Sequence, residues 1–259
     1  MADDRGSGLH SVSRALRSLE LIAETGELGV TELGRRLGVH KATASRLAAT
    51  LASHGFVERD PQTDRYRLGF GLIRLAGAAM AGLDLVRTAR PIVEDLAERT
   101  RETVNLGVLS AGDVIYIDQS TGTRSIVSVS WVGRRTPVHA TAAGKALVAF
   151  ADPADQERLL SGPLQRCTAR TIVDKRVLRE QLHAVRARGY AQTFEELEEG
   201  LNAIASPIRQ ADRRAVAAIS VSGPAFRVRA VDFARLGRLT TDAATAVSRR
   251  LGFSGRLVD

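Results

Sequence analysis

The residues best suited to chemistry run from His139 to Lys145, His-Ala-Thr-Ala-Ala-Gly-Lys, where a loop pattern gives way to a helical one ending near Phe150. Thr141 is placed to cap that helix. Ala142, Ala143 and Gly144 are small enough for a ligand to approach the first-turn amides, which have no partner inside a helix. A helix start of this kind suits a carboxylate. The Gly144-Lys145 pair lacks the G-x-x-x-x-G-K-[ST] spacing of a phosphate-binding loop, so nucleotide chemistry is not expected. Ser220 and Ser222 stand two apart in an apolar run, which puts both hydroxyls on one face of a strand. An ordinary capped helix and an ordinary strand would carry the same residues, and the pattern alone leaves both readings open. Covalent and metal chemistry find less support. Cys167 is the single cysteine; His139 and His183 are candidate partners, but no nucleophile motif surrounds it. The five histidines show neither H-E-x-x-H nor H-x-x-x-H spacing, so no metal, cofactor or catalytic residue is expected.

A second constellation lies nearer the N-terminus. A helix beginning at His40 or Lys41 carries an inner stripe of Ala44, Leu47 and Leu51, which leaves Lys41, Ala42, Thr43, Ser45, Arg46 and Ala49 facing out. Short polar side chains and two cations near a helix start are the surface that can enter a DNA major groove. The elements that must position this helix are legible on both sides. Val12, Leu16, Leu19 and Ala23 form the inner stripe of a first helix that Gly26 stops. Thr31 reads as the N-cap of a second helix with Leu33 and Leu37 inward, and Gly38 suits the tight turn that follows. This is the helix-turn-helix pattern, over about residues 31–50. Phe56 to Arg59, the turn cluster Asp60-Pro-Gln-Thr-Asp64, and Arg65 to Leu68 then predict a hairpin with Tyr66 and Leu68 inward. Arg59, Arg65 and Arg67 on such a wing are placed for phosphates or the minor groove.

Length and composition bound the rest. The chain has 259 residues, 44% hydrophobic and 25% charged, with a net charge of +8. That is a folded protein of one large domain or two modest ones. Residues 1–70 hold ten basic and nine acidic side chains, so the DNA argument rests on where charges sit and not on their sum. A single cysteine excludes an internal disulfide, and no signal-peptide or membrane-spanning pattern occurs, which predicts a cytoplasmic protein. Residues 9–70 read as the winged helix-turn-helix. Residues 71–85, rich in alanine and glycine, read as a linker helix that packs closely on another helix, of this chain or of a partner subunit. Residues 86–254 alternate strand pairs with helices, an antiparallel α+β domain. Its expected strands are Val104–Leu109, Val114–Asp118, Ile126–Val132, Ala203–Ile208 and Ala215–Ser222. Its expected helices lie before Arg101, where Pro91 can kink the chain, and at Ala143–Phe150, Val177–Arg188 and Val231–Leu251.

Six stretches occur in a telling order: Ser11-Val-Ser-Arg-Ala-Leu16, Gly38-Val-His-Lys-Ala-Thr-Ala-Ser-Arg-Leu47, Tyr66-Arg-Leu-Gly69, Ala89-Arg-Pro91, Gly133-Arg-Arg-Thr-Pro-Val-His-Ala-Thr-Ala-Ala-Gly-Lys-Ala146 and Ser220-Val-Ser-Gly-Pro-Ala-Phe226. With their spacing from about Leu9 to Leu251, the chain resembles an IclR-family transcriptional regulator. The resemblance implies a winged helix, a linker helix and a GAF-like effector-binding domain. It implies a double-stranded DNA partner at a palindromic operator, a homodimer or homotetramer, and a small organic effector from catabolism. It also implies that Ala142, Ala143, Ser220 and Ser222 line the effector cavity. The family member that senses small oxo-acids has an aspartate where this chain has Thr193 and a cysteine where it has Ala203. Those departures predict a roomier, less charged cavity, and a carboxylate or aromatic catabolite larger than glyoxylate or pyruvate. Glu195, Glu196, Glu198 and Glu199 read as a solvated acidic run. An enzyme with a DNA-binding appendage is the alternative, and it lacks a motif.

Overall fold

A computed structural model of the chain describes residues 5–75, 84–122 and 130–254. It divides into two units, Met1–Leu83 and Asp84–Asp259. The first contains helices α1 (Arg5–Thr25), α2 (Val30–Leu37) and α3 (Lys41–Ser53) and strands β1 (Glu27–Gly29), β2 (Val57–Arg59) and β3 (Arg65–Leu68). The strands form an antiparallel sheet in the order β1-β3-β2. Leu21, Ile22, Leu28, Leu33, Ala44, Ala48, Leu51, Val57 and Tyr66 make its core.

Several local expectations need correction. The buried face of α1 is Ser18, Leu21 and Ile22, whereas Val12 and Leu16 are 59% and 58% exposed. The stripe was displaced because Ser18 looks polar in sequence, yet its hydroxyl donates to the Arg14 carbonyl at 2.7 Å and needs no water. Helix α2 is capped by Gly29 and not by Thr31, since Glu27–Gly29 is drawn into the sheet, where Leu28 pairs with Tyr66. Tyr66 is buried as expected, but Leu68 ends its strand outside the core cluster and is 40% exposed.

The turn between α2 and α3 follows the expectation: Gly38 has φ +65° and the Val39 amide donates to the Gly34 carbonyl at 2.9 Å. Gly34 suits this close turn, since a Cβ there would stand 3.0 Å from the Val39 carbonyl oxygen, a tight contact. Gly69 and Gly71 carry the chain past the end of α3, where added Cβ atoms would lie 2.4 and 2.6 Å from the Gly55 carbonyl oxygen. Of the expected linker helix, residues 71–75 are helical. Residues 76–83 lie outside the described residues.

The second unit is built on one six-stranded antiparallel sheet, in the order β6-β5-β4-β9-β8-β7. Its strands are β4 (Thr103–Ser110), β5 (Asp113–Thr121), β6 (Arg135–Pro137), β7 (Ala191–Phe194), β8 (Leu201–Arg209) and β9 (Ala215–Pro224). One face is covered by α4 (Asp84–Thr100) and α8 (Phe233–Arg250), packed through Val93, Leu96, Ala244 and Val247. The other face carries α5 (Ala142–Ala149), α6 (Pro153–Leu160) and α7 (Lys175–Arg188), packed through Ala146, Leu147, Leu178 and Leu182. Helices on both faces of an antiparallel sheet make the fold α+β. Pro91 sits inside an unbroken α4. Of the strand expected over Ile126–Val132, residues 126–129 lie outside the described residues, and Val132 makes only an isolated bridge to Tyr116. No helix among the described residues is long and apolar enough to cross a membrane.

Candidate functional site

In the second unit the site grows out of strand register. Thr193, Ala203, Ser222 and Thr103 pair in succession across β7, β8, β9 and β4. Ala191, Ala205, Ser220 and Asn105 form a neighbouring row of the same parity. Directly paired residues and residues two apart share a sheet face, so this part of the floor is small and polar. Over it stands the start of α5. Thr141 caps that helix, its Oγ1 accepting from the Gly144 amide at 3.1 Å. Its carbonyl accepts from the Lys145 amide at 3.0 Å. Among the described residues, the amides of Ala142 and Ala143 have no acceptor. Gly144 lets the helix start lie this close to the preceding loop, since a Cβ there would meet the Val138 carbonyl oxygen at 2.2 Å.

Floor and helix bound a narrow cleft with a free volume of about 20 Å³, little more than a water needs, that opens to solvent at its mouth. All six residues singled out from the sequence line it: Ala142, Ala143, Thr193, Ala203, Ser220 and Ser222. Tyr116, Trp131, Leu197 and Leu201 supply bulkier walls, so the cleft is narrow despite the small side chains at 193 and 203. Tyr116 and Trp131 meet edge to face with centroids 6.0 Å apart. Gly107 makes room for the Tyr116 ring, whose edge would stand 3.3 Å from an added Cβ. Burial pushes the Tyr116 phenol up to about 12, and the hydroxyls of Thr136 and Ser220 oppose that only in part.

The walls are tied together by buried polar groups. Lys145 on α5 has a side chain 1% exposed, and its Nζ donates to both carboxylate oxygens of Glu196 at 2.6 and 2.7 Å and to Gln181 Oε1 at 2.7 Å. All three ammonium protons are used. Burial lowers the Lys145 pKa and raises that of Glu196, each opposed by the other's charge. Glu196 is therefore not part of a solvated run; only Glu198 and Glu199 are exposed. The hydroxyls of Thr168 and Thr171 donate to the carbonyls of Glu195 and Glu196, both at 2.7 Å. His139 Nε2 bonds the Gln165 carbonyl at 2.8 Å. Burial lowers the His139 pKa, and the nearby Lys145 charge adds to that.

In the first unit, α3 exposes Lys41, Ala42, Ser45, Arg46 and Ala49, with Thr43 half-buried and Ala44, Ala48 and Leu51 inward. Lys41 and Arg46 carry no ion pair among the described residues. The wing arginines differ. Arg59 pairs with Asp64, Arg65 with Glu27 at 2.9 Å and Arg67 with Glu58 at 3.3 Å, all at the surface. Among the described residues of this unit, six large apolar side chains also face outward: Val12, Leu16, Leu68, Phe70, Ile73 and Leu75.

Asn105, Tyr116 and Trp131 are members of the second-unit site that sequence reasoning did not single out, and Lys145 and Glu196 were noticed separately but not as a pair. The alternation of β4 and β5 could have placed Asn105 and Tyr116 on the same face as Ser220. Nothing local announces the Lys145–Glu196 pair.

Residues 11–61 match the model of the IclR helix-turn-helix domain, and residues 77–249 match the bacterial transcriptional regulator IclR C-terminal model. The chain is 34% identical over 247 residues to XynR, an HTH-type transcriptional regulator of Escherichia coli K12, covering 95% of this chain and 98% of that one. It is 39% identical over 253 residues to BhcR of Paracoccus denitrificans, covering 97% and 89%. Among solved structures, an IclR homologue of Microbacterium hydrocarbonoxydans complexed with 4-hydroxybenzoate superposes with a TM-score of 0.81 at 29% identity, over 94% of this chain and 98% of that one. The IclR of Thermotoga maritima does so with a TM-score of 0.78 at 29% identity, over 95% and 100%.

Proposed function

The chain belongs to the IclR family of bacterial transcriptional regulators, and on that premise we propose that it binds a palindromic operator and that a small organic carboxylate held in the α5 cleft alters its affinity for that DNA. The observation that carries this reading is the meeting of two free amides, those of Ala142 and Ala143, with Ser220 and Ser222 on one cleft. Unpaired N–H groups at a helix start favour an anion, and flanking hydroxyls can donate to it. The relatives' names as regulators favour this over an enzyme with a DNA-binding appendage.

On the DNA side, Lys41, Ala42, Thr43, Ser45 and Arg46 form the reading surface, and Arg59, Arg65 and Arg67 hold the backbone. Lys41 and Arg46 are free to bind. A palindromic operator requires at least a dimer. The outward apolar residues around Val12, Leu16, Phe70 and Ile73 are suited to a second copy, with tetramer as the expected final state. Replacing Arg46 with Ala should weaken the specific site by about 1–3 kcal/mol and leave random DNA nearly unaffected. Electrophoretic mobility shifts on both DNAs measure this. Equal affinity of the native protein for operator and random DNA at physiological salt would refute the reading.

A further inference from the structure

Asn105 is 2% exposed and lines the cleft, yet its Oδ1 has no hydrogen-bond partner among the described residues. Ser220 Oγ, its neighbour across the β4–β9 pair, is likewise 2% exposed, with the Tyr116 phenol within its reach. A buried acceptor left without a donor is destabilising, and native structures keep few of them. From this we infer that the effector is a hydroxy-substituted carboxylate, and that Asn105 selects it by accepting a hydrogen bond from its hydroxyl. The inference rests on the proposed carboxylate site at α5.

The polarity of the polar row supports it. Asn105 Nδ2 donates to Ser222 Oγ at 3.3 Å. With a lone pair engaged by that amide, the Ser222 hydroxyl is left to donate its proton, which suits a carboxylate. A Ser222 that donates to the anion has to accept from Asn105, which agrees with the amide placed with Nδ2 toward Ser222 and Oδ1 left without a partner among the described residues. A ligand bearing a carboxylate and nothing else satisfies the amides of Ala142 and Ala143 and the Ser222 hydroxyl, and leaves Asn105 Oδ1 buried without a donor. A hydroxyl elsewhere on the ligand supplies that donor, and Ser220 Oγ can take part as donor or acceptor. Sites built around such a bond reject the analogue that lacks it far more strongly than an apolar pocket rejects a missing methylene.

Calorimetric titration of the full-length protein tests this with matched pairs: benzoate against the three hydroxybenzoates, and butyrate against 3-hydroxybutyrate and 4-hydroxybutyrate. At least one hydroxy acid should bind about tenfold or more tightly than its parent, the loss expected when a buried polar group is left unpaired. Asn105→Ala should bring that ratio close to one. The wild-type ratio can be read even if the variant does not fold. If the parents bind as tightly as every hydroxy acid, and Ala143→Trp blocks them all, the hydroxyl inference falls and the carboxylate site stands. If the Asn105→Ala protein keeps the full preference, the role of Asn105 is wrong. If no acid binds, or Ala143→Trp blocks none, the carboxylate site itself is wrong and the inference falls with it.

Discussion

Lys145 and Glu196 form the most deeply buried ion pair among the described residues, and ions this deeply buried are tolerated only when paired and hydrogen-bonded. Removing one partner leaves the other charged and alone. Lys145→Met or Glu196→Gln should each lose about 3–5 kcal/mol of stability in urea denaturation, and Lys145→Met with Glu196→Leu should lose much less than the sum. Additive losses would show that the two do not act as a pair. His139 gives the pH dependence. Its folded pKa lies below the ordinary 6.5, chiefly through burial. The unfolded chain therefore takes up the proton first, so its stabilising contribution is whole above the unfolded value and is lost as pH falls through the depressed folded one. The urea midpoint should drop between pH 7.5 and 5.5, and His139→Gln should remove part of that drop. Thr141, Ala142 and Ala143 were legible in the sequence because capping chemistry is local. Glu196 was not, since its partner is 51 residues away, and Asn105 touches a serine 117 residues distant.

At the level of elements, α5 positions the cleft and depends on Gly144. A methyl group placed 2.2 Å from the Val138 carbonyl oxygen forces the helix start away from its loop. Gly144→Ala should cost about 1–3 kcal/mol, as overpacking does, and weaken carboxylate binding more than a change at an exposed site. Thermal unfolding with and without ligand measures both effects. Unchanged values would mean that the close approach is unimportant. In the wing, exposed ion pairs are worth only about 0–1 kcal/mol, so Arg65 and Arg67 can exchange Glu27 and Glu58 for phosphates at little cost. Arg65→Ala with Arg67→Ala should weaken all DNA sequences alike and reduce the salt dependence of binding. The long helices, the wing and the paired strands were readable from periodicity. Strands β1, β6 and β7 have three or four residues and show no period of their own. The register of α1 was misread because a serine with an internal hydrogen bond occupies the core.

On the proposed function, the molecule as a whole couples a DNA-reading unit to a ligand-binding one. A ligand changes operator affinity only if it binds one state of the protein better than the other, and a tenfold change needs about 1.4 kcal/mol of such coupling. The cleft is narrow, and a ring-sized ligand needs its walls to move apart, which offers a local origin for two states. The direct test is fluorescence anisotropy on an operator recovered by selecting genomic fragments with the protein itself. It is read with and without the best-binding carboxylate, for the native chain and for Ala143→Trp. The ligand should change operator affinity at least about tenfold in the native protein and leave the variant, still able to bind DNA, unaffected. A variant that responds as the native protein does, or a native protein whose operator affinity ignores every carboxylate that binds it, would contradict the account.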